Sequence, residues 1–281
     1  MTVREAIEQG AAQIGTRWEE TPRLDASVIL AACMGCSRAK LLASYPDPVP
    51  ENAFDKYTEG IKLRVSGYPV AYITGHQEFY ALDFKVSEAV LTPRHDTEIL
   101  VEEALTILES CGGTAPKVLD LCTGSGCIAI SIKHNCPGAE VEVSDISAAA
   151  LDIFTENCIN ILGYKLTSYH TDLLDGIRGP YDMIVSNPPY LTRHTTDDMK
   201  ESGWPEPRLA LEGGTDGLDL IRTIIRSAGK RLRKGGYLLF EADPDQMNSI
   251  KEEFENNSFS DIMIKKDLAG RDRVISGIYH G

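Results

Sequence analysis

The sequence predicts an α/β fold: a seven-stranded, mainly parallel, doubly wound sheet preceded by a helical domain. Three observations carry this expectation. From about residue 115 short apolar strands alternate with amphipathic helices, the pattern of a sheet covered on both faces. The stretch Val118-Leu-Asp120-Leu-Cys122-Thr-Gly124-Ser-Gly126 is a strand running into a glycine loop, and a helix with Ile128, Ile130 and Ile132 follows it. The first seventy or so residues carry helix signals instead. Thr2-x-x-Glu5 is a capping box, Thr21-Pro22 places a cap before a first-turn proline, and Ser37 precedes the apolar Leu41-Leu42. Leu24, Val28 and Ile29 then follow at helical spacing. Pro46, Pro48 and Pro50 interrupt, and another helical stretch runs from Glu51 to about Val65.

Between the two regions, Phe79-Tyr-Ala-Leu-Asp-Phe-Lys-Val86 has β-favouring residues on either side of a turn-like segment at 81–83, which predicts a hairpin linker. The resulting domains are 1–75, helical; 76–92, the hairpin linker; and 93–281, the wound sheet. Its strands are expected at 117–121, 140–144, 168–170, 182–186, 236–241, 261–265 and 274–279. Leu218, Ile221, Ile225, Ala228 and Leu232 fall on one helical face, so Lys230-Arg231-Leu-Arg233-Lys234 reads as cations on a last helical turn, ended by Gly235 and Gly236.

Composition excludes several classes. With 281 residues, 42% of them hydrophobic, the chain has enough apolar surface for a sizeable core. It opens on acidic groups and contains no run of about 18 apolar residues, so neither a signal peptide nor a membrane span is expected, and the cytoplasm is the expected compartment. An odd seven Cys, none beyond Cys158, argues against a disulfide framework. Cys33-x-x-Cys36 lacks a second pair at zinc spacing, so buried reduced thiols are expected there and no metal. Residues 1–85 hold 9 Lys+Arg against 11 Asp+Glu, and residues 86–281 hold 19 against 31. So acidic a second part disfavours long contacts with nucleic-acid backbone.

The glycine loop lets backbone approach a ligand closely, with helix N-terminal amides aimed at it. The next strand ends in Asp145, at the separation from Asp120 expected of an acid that hydrogen-bonds ribose hydroxyls. No Gly-Lys-Ser/Thr follows, which excludes a P-loop. Asp120 at the loop's start suits a cationic amino group better than a pyrophosphate. S-adenosylmethionine fits best, with S-adenosylhomocysteine as its product. The alternative is a plain turn packing a helix on the sheet, with Asp145 capping the helix that begins at Ser147.

Ser186-Asn187-Pro188-Pro189-Tyr190 ends the fourth strand, beside the first at the topological switch point. Two prolines fix two φ angles and remove two donors, leaving carbonyls to accept. Asn187 Oδ1 and the Pro188 carbonyl can therefore hold both hydrogens of a planar –NH2, and Tyr190 offers it a flat face. An amide or ring amine is a poor nucleophile, so orientation must do most of the work, worth about 7 to 11 kcal/mol of barrier. The alternative is a proline-terminated strand with no ligand.

With both sites in view, the chain resembles the protein-(glutamine-N5) methyltransferases of the HemK/PrmC family. The likeness covers Pro22-Arg-Leu-Asp-Ala26, Tyr72-Ile-Thr-Gly-His-Gln-Glu-Phe-Tyr80, Thr92-Pro-Arg-His-Asp-Thr-Glu98, the loop, the Asn-Pro-Pro-Tyr motif, Glu206-Pro-x-x-Ala-Leu-Glu-Gly-Gly-x-Asp-Gly217 and Lys266-Asp-Leu-Ala-Gly-Arg-Asp-Arg273. The resemblance implies a class I, Rossmann-like methyltransferase domain behind an amino-terminal helical bundle that recognises the substrate. It implies transfer to the Gln of a Gly-Gly-Gln loop in peptide chain release factors, by a monomer. Carried over, Asp120, Cys122, Thr123, Gly124, Ser125, Gly126, Asp145 and Leu173 bind S-adenosylmethionine, Asn187 touches cofactor and substrate, and Pro188, Pro189 and Tyr190 hold the Gln amide. Asn187, Pro188 and Tyr190 are the catalytic candidates. Arg94, Asp96, Thr97 and Glu98 either close the site or form an exposed helix start capped by Thr97.

Three departures stand out. Cys122 replaces a loop Gly, which is harmless if its backbone angles are ordinary; His95 replaces a Pro; and Glu241-Ala-Asp-Pro244 replaces a Glu-Ile-Gly-Tyr-like run, altering a pocket wall. Two rival readings are methylation of an exocyclic base amine, disfavoured by acidity, and a catalytically silent cofactor-binding module.

Overall fold

A computed structural model describes residues 1–17, 20–110 and 115–281. They group into two units, Met1–His76 with Gly203–Pro205, and Gln77–Ser202 with Glu206–Gly281. In the first unit lie α1 (Val3–Ile14), α2 (Pro22–Cys33), α3 (Arg38–Ala43), α4 (Glu51–Ser66) and α5 (Val70–Thr74). The Thr2–Glu5 capping box forms on both sides, and Ser37 Oγ accepts from Lys40 N. Thr21 departs from expectation: its hydroxyl donates to Asp25 Oδ1 at 3.0 Å rather than capping α2. Apolar faces of α1, α2 and α4 meet around Ile7, Ile29, Leu30 and Ile61. There Tyr57 Oη donates to Ala6 O at 2.9 Å, a space that exists because residue 10 is Gly; a Cβ would lie 2.0 Å from that hydroxyl. Cys33 and Cys36 are half-buried rather than buried, and Cys36 falls beyond the end of α2. All six described cysteines are free, and Cys111 lies outside the described residues.

The hairpin pairs β1 (His76–Phe79) with β2 (Leu82–Lys85). Its turn is Tyr80-Ala81, both at positive φ (51° and 59°), one residue before the expected segment. Such a tight two-residue turn matches strand twist, and it sends Phe79 and Phe84 edge to face into the core.

The second unit continues with α6 (Glu98–Ser110), β3 (Lys117–Leu121), α7 (Cys127–Asn135), β4 (Glu140–Asp145), α8 (Ala148–Leu162), β5 (Thr167–His170), β6 (Tyr181–Ser186), α9 (Arg193–Glu201), α10 (Asp219–Ala228), β7 (Leu232–Glu241), α11 (Met247–Asn256), β8 (Phe259–Lys266) and β9 (Asp272–Tyr279). The sheet order is β5-β4-β3-β6-β7-β9-β8. The pairs from β5 through to β7 are parallel, and β9 is antiparallel to both β7 and β8. All seven expected strands are present, making this a doubly wound, Rossmann-like sheet. Leu100, Ile128 and Phe154 cover one face; Ile221, Ile225, Ile250 and Phe254 cover the other. Each such buried side chain contributes roughly 1.5 to 3 kcal/mol.

One expectation fails here. The basic run at 230–234 is no helix end: α10 stops at Ala228, and Leu232 opens β7, paired with Tyr181 across a bulge. The non-local bond from Tyr181 N to Arg231 O, 2.7 Å, and the Arg233–Asp182 pair draw that run into the sheet. No helix among the described residues is long and apolar enough to cross a membrane.

Candidate active site

Strand β3 pairs in parallel with β4 on one side and β6 on the other, and Leu121 is level with both Ser144 and Ser186. The residues that follow these three strand ends therefore leave the sheet together: the glycine loop, Asp145 and Asn187. This is the crevice that the crossover topology opens at a switch point.

The loop's geometry is held largely by backbone. Thr123 N donates to Ser144 O, Gly126 N to Thr123 O, and Gly124 N to Asp145 Oδ2 at 2.9 Å. The other carboxylate oxygen of Asp145 accepts from Ser147 N at 2.9 Å, so the acid both anchors the loop and braces the start of α8, whose cap is Ser147 itself. Burial pushes the Asp145 carboxyl up, and the amides of Ser147, Gly124 and Ile146 pull it back. Behind the loop, fully buried Asn157 accepts from Lys85 N (2.8 Å) and donates to Lys85 O (3.0 Å) and Ser125 O (2.9 Å), tying the hairpin exit to the loop.

A cavity of about 180 Å3 opens in front of the loop. Cys122, Thr123, Gly124, Ser125, Asp145, Leu173 and Asn187 line it, together with Ile146 and Asp172, which sequence reasoning did not single out. Asp120 and Gly126 do not reach this wall. Asp120 is wholly buried beneath the loop, where Oδ2 accepts from the Thr123 hydroxyl (2.7 Å) and Oδ1 has no partner at hydrogen-bond distance among the described residues; burial pushes the carboxyl up to about 7, against the pull of the Thr123 hydroxyl and the Ala129 amide. Gly126 faces Phe154, which a Cβ would meet at 2.4 Å. The Cys122 backbone is not ordinary. Its φ is +58°, the left-handed region where a Gly is free and any other residue is strained, and Leu173 on the same wall sits at +47°. Burial pushes the Cys122 thiol well up, so it is neither charged nor nucleophilic there.

A second cavity of about 150 Å3 adjoins the first and is lined by Pro188, Pro189, Tyr190, Met199, Glu206 and Glu241, among others. Asn187, Pro189, Arg94, Leu91 and Ala210 border both. Asn187 Nδ2 donates to Thr97 Oγ1 at 3.2 Å, which leaves Oδ1 as the amide's accepting atom. Among the described residues neither Asn187 Oδ1 nor the Pro188 carbonyl accepts a hydrogen bond. Beyond the motif the chain is clamped: Leu191 N donates to Leu211 O, Gly213 N to Leu191 O, and Gln246 Nε2 to Tyr190 O. Gly217, at φ +79°, sits where a Cβ would lie 2.1 Å from Tyr190 O.

Of the stretch 94–98, Arg94 and Thr97 line the first cavity, while Glu98 begins α6 and His95, Asp96 and Glu98 stand outside both cavity walls. Thr97 is buried against Asn187 and caps nothing. Arg94 Nη2 donates to both oxygens of fully buried Glu206, at 2.8 and 2.7 Å. Asp96 meets Arg273 at 3.3 Å, and Glu98 accepts from Tyr80 N. His95 opens a short 3-10 turn with its ring exposed. Sequence reasoning quoted Glu206 only as the start of a family stretch and missed its place in the site, since its partner Arg94 lies 112 residues away.

The first cavity suits a nucleoside with a cationic tail. Asp145 presents a carboxylate to a diol, Ile146, Leu173 and Ala150 supply apolar surface for a base, and the charged lining groups are Asp145, Asp172 and Arg94. That balance favours a cation over a pyrophosphate.

Comparison with known proteins gives the family. Residues 5–75 match the PrmC N-terminal domain, and residues 96–202 match the methyltransferase small domain. A release factor glutamine methyltransferase of Moorella thermoacetica is 39% identical over 276 residues, covering 97% of each chain. One from Rhodopirellula baltica is 38% identical over 92% of this chain and 89% of its own. A solved methyltransferase from Pyrococcus furiosus, 15% identical, shares the fold with a TM-score of 0.53 over 72% of this chain and 91% of its own.

Proposed function

Since the chain belongs to the family of release factor glutamine methyltransferases, we propose that it moves a methyl group from S-adenosylmethionine to the side-chain amide nitrogen of the Gln in a release factor's Gly-Gly-Gln loop. The observation that carries this is Asn187, one side chain bordering two adjoining cavities. The first takes the cofactor. The second takes the Gln side chain, whose –NH2 donates to Asn187 Oδ1 and the Pro188 carbonyl while its plane lies against Tyr190. Bound S-adenosylmethionine supplies an electrophilic methyl carbon, the N–C bond forming as the C–S bond breaks with its electron pair left on sulfur.

The chain's own residues supply orientation. Pro188 and Pro189 stiffen the corner, and Thr97 fixes which way the Asn187 amide faces. Two such neutral hydrogen bonds are worth a net ~0.5 to 1.5 kcal/mol each, small beside the gain from alignment. On the cofactor side Cys122–Ser125, Asp145 and Leu173 form the wall, and Asp120 acts from beneath by holding Thr123. The helical unit at 1–75 recognises the release factor, the hairpin links the two parts, and the enzyme works as a monomer in the cytoplasm without contacting nucleic acid. A net charge of −14 supports a protein partner over a nucleic acid.

Labelled S-adenosylmethionine tests the reading. Label enters a release factor and fails to enter one whose loop Gln is replaced. Label in RNA or DNA instead would overturn the proposal.

A further inference from the structure

A methylated amide nitrogen carries four bonds and a positive charge until one hydrogen leaves as a proton, its bonding pair returning to nitrogen. Where water is excluded, a group lining the second cavity receives that proton. Leu91, Met199, Ala210 and Leu211 cannot, and Arg94 is already protonated. Glu206 is committed, with both oxygens on Arg94 and Oε1 also accepting from Thr92 N at 3.2 Å. The Asn187 and Pro188 oxygens that hold the hydrogens are amide carbonyls, too weakly basic to keep a proton, which leaves Tyr190 and Glu241. Glu241 closes β7, is 2% exposed, and lines the cavity; its Oε1 accepts from the Tyr190 hydroxyl at 3.3 Å, the Thr97 hydroxyl also acts on the carboxylate, and Oε2 has no partner at hydrogen-bond distance among the described residues. A buried acid with an unfilled oxygen is costly to keep unless it has a task.

We propose that Glu241 is the terminal proton acceptor of the transfer, reached through the Tyr190 hydroxyl; the assignment rests on the function proposed above. Tyr190 Oη takes the proton from nitrogen as its own passes to Oε1 of Glu241. The phenol is regenerated, the carboxylate becomes a neutral acid, and the proton later escapes to water. Tyr190 thereby touches the reacting atoms, and Glu241 acts behind it as a positioning and proton-holding residue.

The groups facing Glu241 suit this task. Burial raises its carboxyl above the usual range, while the Thr97 hydroxyl, Arg273 and Tyr190 pull it down, and Asp96 raises it. The Cys127 thiol on α7 also faces it and, pushed up to about 12 by burial, stays neutral. Arg273 favours the carboxylate without consuming it, since its own contacts are Asp267 (3.2 Å) and Asp96 (3.3 Å). The run 241–244 departs from the family's at its last three positions and keeps this Glu.

Single-turnover methylation of a release factor, followed against pH for the wild type, Glu241→Gln, Tyr190→Phe and the double variant, tests this. Glu241→Gln keeps the shape and an acceptor oxygen, so a proton-holding role predicts a loss of about 10²- to 10⁴-fold and disappearance of the acid limb of the profile. Tyr190→Phe keeps the ring and loses a comparable factor, and the double variant is little worse than Glu241→Gln alone, as expected of residues that act as one unit. Melting gives a second readout. A carboxyl raised by folding contributes stability below its ordinary pKa that is lost as pH rises through the raised value, so Glu241→Gln melts at or above the wild type at neutral pH, by a margin that shrinks in acid. A Glu241→Gln enzyme that labels as fast as the wild type with an unchanged acid limb overturns the assignment, and so does one that melts lower at every pH. A wild type that labels no release factor overturns the proposed function, and this assignment with it.

Discussion

The two cavities that meet at Asn187 are built differently. On the cofactor side the chemistry rests on backbone: Asp145 is gripped by the amides of Gly124 and Ser147, Thr123 N by Ser144 O, and Ser125 O by Asn157. On the acceptor side it rests on side chains far apart in sequence, with Asn187 on Thr97 and Tyr190 on Glu241. The first wall is nearly satisfied. Among the described residues, the second keeps Asn187 Oδ1, the Pro188 carbonyl and Glu241 Oε2 without a donor at hydrogen-bond distance. A satisfied wall suits a ligand that must bind in one pose and leave, whereas unfilled acceptors suit a substrate whose hydrogens are to be held and taken.

The largest effect should come from emptying the acceptor side. Asn187→Ala removes an acceptor that orients the nucleophile, so the rate of methyl transfer falls about 10²- to 10³-fold by analogy with loss of one preorganised polar group. Affinity for S-adenosylhomocysteine, measured by calorimetry, should change far less; an equal fall in both would erase the distinction between the cavities. Next is Asp145→Asn, which keeps the shape and loses the charge on the cofactor side. Losing a hydrogen bond to a charged acceptor is worth about 1.5 to 3 kcal/mol, so the cofactor Kd should rise about 10- to 150-fold. The single-turnover rate at saturation should stay close to wild type.

Asn157→Ala probes the support behind the loop. It strands Lys85 N, Lys85 O and Ser125 O in a buried place, and chemical unfolding should show a loss of about 2 to 3 kcal/mol. The smallest effect concerns backbone strain. Cys122→Gly and Cys122→Ala both lack the thiol, and only Gly is at ease at φ +58°, so the Gly variant should be the more stable by about 1 kcal/mol. An Ala variant of equal or greater stability would show that the loop relaxes out of the left-handed region.

Much of this was readable along the chain. The seven strands, the glycine loop and the Asn-Pro-Pro-Tyr corner are local patterns, and their register follows once β3 is placed between β4 and β6. What was not readable depends on partners brought near only by folding. Leu232 fits a helical face in sequence, yet Tyr181 claims its neighbourhood for the sheet. Asp120 looks like a ligand-facing acid, but β3 is flanked on both sides and this residue, one before its end, is buried beneath the loop against Thr123. Cys122 gave no hint of positive φ beyond the family's preference for Gly. Glu241 stood out only as part of an unusual run, since its meaning lies in Tyr190, 51 residues away.

A single amide shared by two chambers has a thermodynamic corollary. Whatever factor a guest in one chamber multiplies onto the affinity of the other, the second guest must return in equal measure, because the cycle of bound states closes. The spent nucleoside and the finished, methylated side chain obey the same rule, so a substitution at Asn187 that alters how one product's affinity depends on the other must alter the reverse dependence by an equal factor.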